Sequence, residues 1–123
     1  MTFARRVFTV AWIYGLAVLV PMLFLEHQVM ERVPPPLSHP EFYYGFLGAA
    51  IAWQLVFRLI ARDPARFRPV IVPALVEKLV WGIGVLVLAT QGRTPTFFVT
   101  GAVIDLVLAV LFVMAWRKTA EGR

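Results

Sequence analysis

Four long apolar stretches separated by short polar segments organise the chain. Residues Val7 to Leu25, Phe42 to Ala61, Val70 to Ala89 and Thr96 to Trp116 form the apolar stretches. Each is about 20 residues long, which at 1.5 Å per residue matches a hydrocarbon core of about 30 Å. The stretches do not alternate apolar and polar positions, and four of them are too few to close an outer-membrane barrel. In hydrocarbon each segment must satisfy its own backbone hydrogen bonds, so each is expected to be helical. The pattern predicts an all-α membrane protein, an up-and-down four-helix transmembrane bundle in which residues 1–123 form a single four-span domain.

Composition supports the same reading. With 60% hydrophobic and 15% charged residues, the chain is too apolar for a water-soluble domain, and membrane lipid is its expected surrounding. The absence of cysteine removes disulfides, thiolate metal sites and thiol redox chemistry. The net charge of +5 does not point to nucleic acid, because the basic residues gather at the ends of apolar runs and form no long basic stripe.

Those basic residues set an expected orientation. Arg5 and Arg6 precede span one, Arg58, Arg62, Arg66 and Arg68 crowd the junction of spans two and three, and Arg117, Lys118 and Arg123 follow span four. The opposite loops hold Arg32 and Arg93. The positive-inside rule then places both termini in the cytoplasm, with Tyr43, Tyr44 and Trp116 at the interfaces. The start Ala4-Arg5-Arg6-Val7-Phe8 faintly resembles a twin-arginine signal. The apolar run exceeds a usual h-region of about 7–15 residues and no A-x-A-like site follows, so an uncleaved anchor is expected.

The connections differ in character. The longest, Glu26 to Glu41, contains Pro34-Pro35-Pro36, which stiffens an extended segment and forbids helix. Gln91-Gly92-Arg93-Thr94-Pro95 reads as a tight turn, with Thr94 as N-cap, Pro95 at the first helical position, and spans three and four as antiparallel neighbours. Gly48 and Ala52, Gly82 and Gly84, and Gly101 are expected where helices approach closely. Pro73 reads as a helix-entry residue or a slight hinge one turn before Glu77.

Candidate chemistry is concentrated in the ionisable residues inside the spans, each of which costs about 2.5–3.5 kcal/mol at a helix centre. These are Glu77, Lys78 and Asp105. Glu77 lies roughly 12 Å and Asp105 roughly 16 Å from the cytoplasmic ends of their spans. Gln54 and Tyr14 fall near the same level, which predicts a polar layer drawn from all four helices. Adjacent helical residues point about 100° apart, so Glu77 and Lys78 diverge, and Lys78 is expected to pair with Asp105. With both carboxylates ionised the cluster carries one excess negative charge, a state relieved if one carboxyl, with Glu77 favoured, holds a proton.

Weaker constellations accompany this layer. Arg62, Arg66 and Arg68 suit lipid head groups or a partner protein at about 1 kcal/mol each, although topology signalling alone explains them. Arg58 is placed to snorkel to the interface. Glu26, His27, His39 and Glu41 are acceptable metal ligands, but their spacing matches no metal motif. No HExxH, P-loop, dinucleotide fingerprint or serine-centred motif occurs, so no catalytic residue and no cofactor are assigned.

The strings Glu41-Phe42-Tyr43-Tyr44-Gly45-Phe46, Ala52-Trp53-Gln54, Arg62-Asp63-Pro64, Arg66-Phe67-Arg68-Pro69 and Glu77-Lys78 together resemble a group of uncharacterised small bacterial four-span membrane proteins. The resemblance covers about half the chain, runs from span two to span three, implies a bacterial inner-membrane location and brings no activity. Small multidrug transporters carry an essential carboxylate in span one, which is absent here before Glu26.

The expectation is therefore a structural or accessory inner-membrane bundle with a buried polar layer, with homodimerisation or a membrane partner protein as an added expectation. Two alternatives are a proton-coupled small transporter using Glu77, and a membrane enzyme or lipid-binding protein with an intramembrane pocket. On the transporter reading, Glu77→Gln abolishes any pH-dependent activity while expression persists. Loss of expression alone, read on a membrane blot, marks the site as structural.

Overall fold

The computed structural model describes residues 2–32 and 39–121, and all regular structure among them is helical. The elements are α1 (Thr2–Met22), α2 (Glu26–Arg32), α3 (Pro40–Arg62), a single 3₁₀ turn (Arg68–Val70), α4 (Ile71–Thr90) and α5 (Thr96–Glu121). Among the described residues four helices are long and apolar enough to cross a membrane: Thr2–Met22, Pro40–Arg62, Arg68–Thr90 with its 3₁₀ entry, and Thr96–Ala120.

The helix ends differ from the apolar boundaries for local reasons. α1 begins before its apolar run and takes in Arg5 and Arg6, because a hydrogen-bond ladder once formed continues into polar surroundings. It stops at Met22, just after Pro21. There the N–H groups of Leu23, Phe24 and Leu25 turn back to the carbonyls of Val20, Pro21 and Met22 at 3.1, 3.0 and 3.3 Å. The chain then enters α2, a short helix within what the sequence suggested was an extended loop. Its Val29 is buried against Leu19, Tyr43 and Leu47. The Pro34-Pro35-Pro36 segment lies outside the described residues.

The α4–α5 connection is a tight turn, as expected. Gly92 has φ +68°, its N–H donates to Ala89 O at 3.1 Å, and the Arg93 N–H donates to Leu88 O at 2.8 Å. This is a Schellman closure, in which glycine takes the left-handed position at no steric cost. α5 begins at Thr96 rather than Pro95, whose carbonyl accepts the Phe98 N–H at 3.2 Å. Pro73 falls in the first turn of α4, where its missing N–H removes nothing the helix needs, so it is an entry residue.

α1 packs chiefly on α3 and α4 on α5, α1 joins the two pairs through α5, and α3 barely touches α4. The end of the bundle carrying Arg68 is tightly filled. Phe112 lies 4.3 Å from the Phe8 ring and 5.2 Å from the Phe57 ring, centre to centre. Small residues Ala4, Ala11, Ala61, Ala74 and Ala115 close around these rings with Ile60 and Ile71. At the far end the Tyr43 hydroxyl donates to Met22 O at 2.7 Å and ties α3 to the end of α1.

Glycine supplies two of the contacts between α4 and α5. A Cβ on Gly82 would meet Leu106 at 2.8 Å, and one on Gly101 would meet the Trp81 ring at 3.3 Å, so these two positions let α4 and α5 approach. Gly48 and Gly84, also expected at contacts, face open space, and Ala52 is exposed. Outward positions are instead apolar, including Val80 at 69% and Val110 at 61% exposure, a surface suited to hydrocarbon.

Because lipid tails are as apolar as a core side chain, packing rather than transfer from water stabilises the aromatic cluster. Phe112→Ala is expected to cost about 2–3 kcal/mol, below the about 3–5 kcal/mol of a water-soluble core. Val107→Ala on the outward face is expected to cost nothing measurable. Denaturation in micelles compares the two.

Candidate functional site

The polar layer forms where the filled half of the bundle ends. Lys78, on α4, is 3% exposed. Its ammonium donates to Asp105 Oδ1 on α5 at 3.2 Å and lies 3.7 Å from Glu77 Oε2. Its third neighbour is the Phe57 ring, 5.2 Å from Nζ. The expected Lys78–Asp105 pair is therefore present. Glu77 is less fully enclosed, and its Oε2 is a buried oxygen with no hydrogen-bond partner.

Gln54, on α3, is 2% exposed. Its amide nitrogen donates to Ala50 O one turn back at 3.0 Å, while its Oε1 is buried without a hydrogen-bond partner. That amide occupies the space a side chain at position 15 would take, since a Cβ on Gly15 would coincide with Gln54 Oε1 and Cδ. Gly15 is therefore what allows α1 to close over Gln54.

Above this layer, away from the arginine-rich end, the bundle is hollow. A cavity of about 410 Å³ has Tyr14, Gln54, Glu77, Lys78 and Asp105 among its lining residues. Its remaining walls are apolar and aromatic, including Val18, Leu19, Phe46, Trp81, Phe97 and Ile104. Thus the polar residues proposed from sequence, one or two from each long helix, border one space.

The loose α3–α4 seam forms a second hollow of about 720 Å³, bordered by Ala49, Trp53, Pro73, Val76, Val80 and Leu88 among others. Phe46, Ala50, Glu77 and Trp81 border both spaces. The Phe46 and Trp81 rings stack across the seam, 6.3 Å apart and 16° from parallel. Glu77 is therefore adjacent both to the interior and to the outer face of the bundle.

Sequence reasoning did not identify Gly15, Phe46, Trp81, Phe97 or Ile104. Trp81 was accessible in principle, because it lies four residues after Glu77 and shares its helix face. Phe46 and Phe97 were not, since only tertiary packing distinguishes a cavity wall from a lipid-facing phenylalanine.

The other candidates are used locally. Arg68 Nε donates to Trp116 O at 3.1 Å and its guanidinium lies 4.1 Å from the Trp116 ring centre, so this residue joins the 3₁₀ turn to α5. Arg62 and Arg66 are exposed, and the Arg66 N–H donates to Asp63 Oδ1 at 3.2 Å, closing a turn that contains Pro64. Arg58 reaches the Trp12 ring at 5.5 Å. His39 pairs with Glu41 at 2.9 Å, and Glu26 accepts the Tyr44 hydroxyl at 2.8 Å. Among the described residues no three metal-ligating side chains converge, so Glu26, His27, His39 and Glu41 are not assembled into one site.

No family model, curated protein or solved structure matches the chain. What fold and site define is therefore a class: a small four-helix bundle, compatible with a multi-pass membrane protein, with a charged cluster bordering a cavity between its helices. No activity comes to it from a relative.

The charge balance within the cluster ranks its members. Removing Glu77 or Asp105 leaves one carboxylate beside Lys78, whereas removing Lys78 leaves two carboxylates without their cation. Lys78→Met is expected to cost about 3–5 kcal/mol, as breaking a buried ion pair does. Glu77→Gln and Asp105→Asn are each expected to cost less than half as much. Micelle denaturation of the three variants checks the order, and an equal cost for all three contradicts it.

Proposed function

We propose that this protein is a membrane-embedded binding bundle that holds an amphiphilic molecule taken from the surrounding lipid. The observation that carries this reading is the cavity itself, set directly over a buried charged cluster. A bundle whose polar layer served packing alone has no need of space beside that layer. The volume lies at the lower end of the about 300–1,000 Å³ range of ligand pockets, which suits a single-chain or compact amphiphile better than a two-chain lipid. Its apolar walls match a hydrocarbon body, and the polar floor matches a head group.

The α3–α4 seam supports delivery from the bilayer. Its outer hollow is apolar and shares Phe46 and Trp81 with the cavity, so a molecule in hydrocarbon meets two stacked rings rather than a wall of interlocked side chains. The accessory role expected from the Lys78–Asp105 pair is compatible with this reading, because a pair that sets helix register also fixes the cavity floor.

In this proposal the bundle is up-and-down, lies in a bacterial inner membrane and keeps both termini cytoplasmic. The support is the grouping of Arg5, Arg6, Arg62, Arg66, Arg68, Arg117 and Lys118 at one set of helix ends, which the positive-inside rule assigns to the cytoplasm. The cavity then lies in the outer half of the membrane. Arg62 and Arg66 face the inner-leaflet head groups, and the outward Gly48 and Ala52 are where a second copy or a partner would approach.

Binding is tested by titrating the purified full chain in micelles with 1-oleoylglycerol and following thermal unfolding. A ligand at 100 times its Kd stabilises by about 2.7 kcal/mol, so a saturable rise in unfolding temperature is expected. The double substitution Val18→Phe/Ile104→Phe fills the cavity and is expected to abolish the rise, whereas Val107→Phe on the outward face preserves it. An unsaturable rise, or one the filled cavity retains, contradicts binding in this space.

A further inference from the structure

Two fully buried acceptors beside the cavity lack a hydrogen bond. Among the described residues the buried side-chain polar atoms without a hydrogen-bond partner are Gln54 Oε1 and Glu77 Oε2, both acceptors, and both residues border the cavity. A buried acceptor left unpaired is unfavourable until a donor reaches it. The charged donor beside the cavity, the Lys78 ammonium, is already engaged by Asp105 at 3.2 Å and Glu77 at 3.7 Å.

Charge points the same way. With both carboxylates ionised the cluster carries one excess negative charge, which a monocation neutralises in place of a proton, whereas an anion adds to the excess and competes with Asp105 for Lys78. Trp81, Tyr14, Phe46 and Phe97 also border the cavity, and aromatic faces attract a cation in a water-poor site. The acceptors require a hydrogen-bond donor as well as charge, which favours a primary ammonium over a quaternary one.

We propose that the head group this cavity selects is a protonated primary amine, and hence that the ligand is a single-chain alkylammonium amphiphile. The inference rests on the amphiphile-binding reading above and goes further by assigning the head. In the bound state the ammonium donates to Glu77 Oε2 and Gln54 Oε1, Lys78 remains on Asp105, and the alkyl chain lies along Val18, Leu19 and Ile104.

The test uses the full chain in phosphatidylcholine nanodiscs and four probes with the same 18-carbon chain: oleylamine, its N,N,N-trimethyl analogue, oleyl alcohol and oleate. Saturable binding is measured at neutral pH by native mass spectrometry and thermal unfolding. Oleylamine is expected to bind at least tenfold tighter than each of the others, with oleate the weakest. Glu77→Gln is expected to bring oleylamine within threefold of oleyl alcohol, and Gln54→Leu, which keeps the charged cluster whole, is expected to narrow the gap by a smaller factor.

Equal binding of amine and alcohol, both blocked by Val18→Phe/Ile104→Phe, overturns the ammonium assignment and leaves the amphiphile reading standing. Equal binding of the primary and quaternary amines overturns the assignment to N–H donation. Tightest binding by oleate shows that Lys78 is the anchor and overturns the proposal. If no probe binds saturably, or the filled cavity binds all four as before, the amphiphile reading itself fails.

Discussion

The buried ammonium of Lys78 is the point on which the arrangement turns. A charge at this depth persists only with its counter-ion in reach, so α4 and α5 must meet in the register that brings Lys78 to Asp105. Gly82 against Leu106 and Gly101 against Trp81 permit the approach that register requires. The second carboxylate follows from the same constraint. Glu77 adjoins Lys78 in sequence, lies within 3.7 Å of its ammonium, and cannot share the hydrogen bond fully because the helix turns it away toward α3.

From this cluster the bundle divides into two unlike halves. Toward the arginine-rich end, three phenylalanines and a set of alanines interlock, and the helices close around them. Away from it, Phe46, Trp81 and Phe97 stand at the margins of the space rather than filling it. In lipid the association of helices depends on packing contacts, since burial from hydrocarbon gains little transfer energy. A half that packs well can therefore hold together a half that does not. That division separates a tightly packed half from a hollow one within a chain of 123 residues.

Much of this was legible without coordinates, for identifiable reasons. The four helices follow from uninterrupted apolar length, because hydrocarbon admits no other backbone solution for such segments. The Lys78–Asp105 pairing follows from depth along antiparallel neighbours and from the cost of an unpaired charge. The Gly92 turn follows from glycine between two apolar runs. Less legible were α2, whose stability comes from Val29 docking on α1 and α3, and the reach of α1 back to Thr2, which hydropathy does not report. Gly48 and Gly84 carry the composition of helix contacts yet face outward, because small residues permit close approach without requiring it.

Sequence by itself determined the four helices long and apolar enough to cross a membrane and the identity of the polar residues within them, since each depends on composition along a line and on the energy of charge in hydrocarbon. Tertiary structure alone decided that the residues on one side of the polar layer fill their space and those on the other do not. Voids depend on how four helix faces meet in three dimensions. Gly15 closing on Gln54, and Phe46 meeting Trp81 across a seam, are relations between distant segments that no periodicity along one helix encodes. The cavity, and with it the choice between a layer that only holds helices together and one that also receives a ligand, therefore belongs to the packed chain.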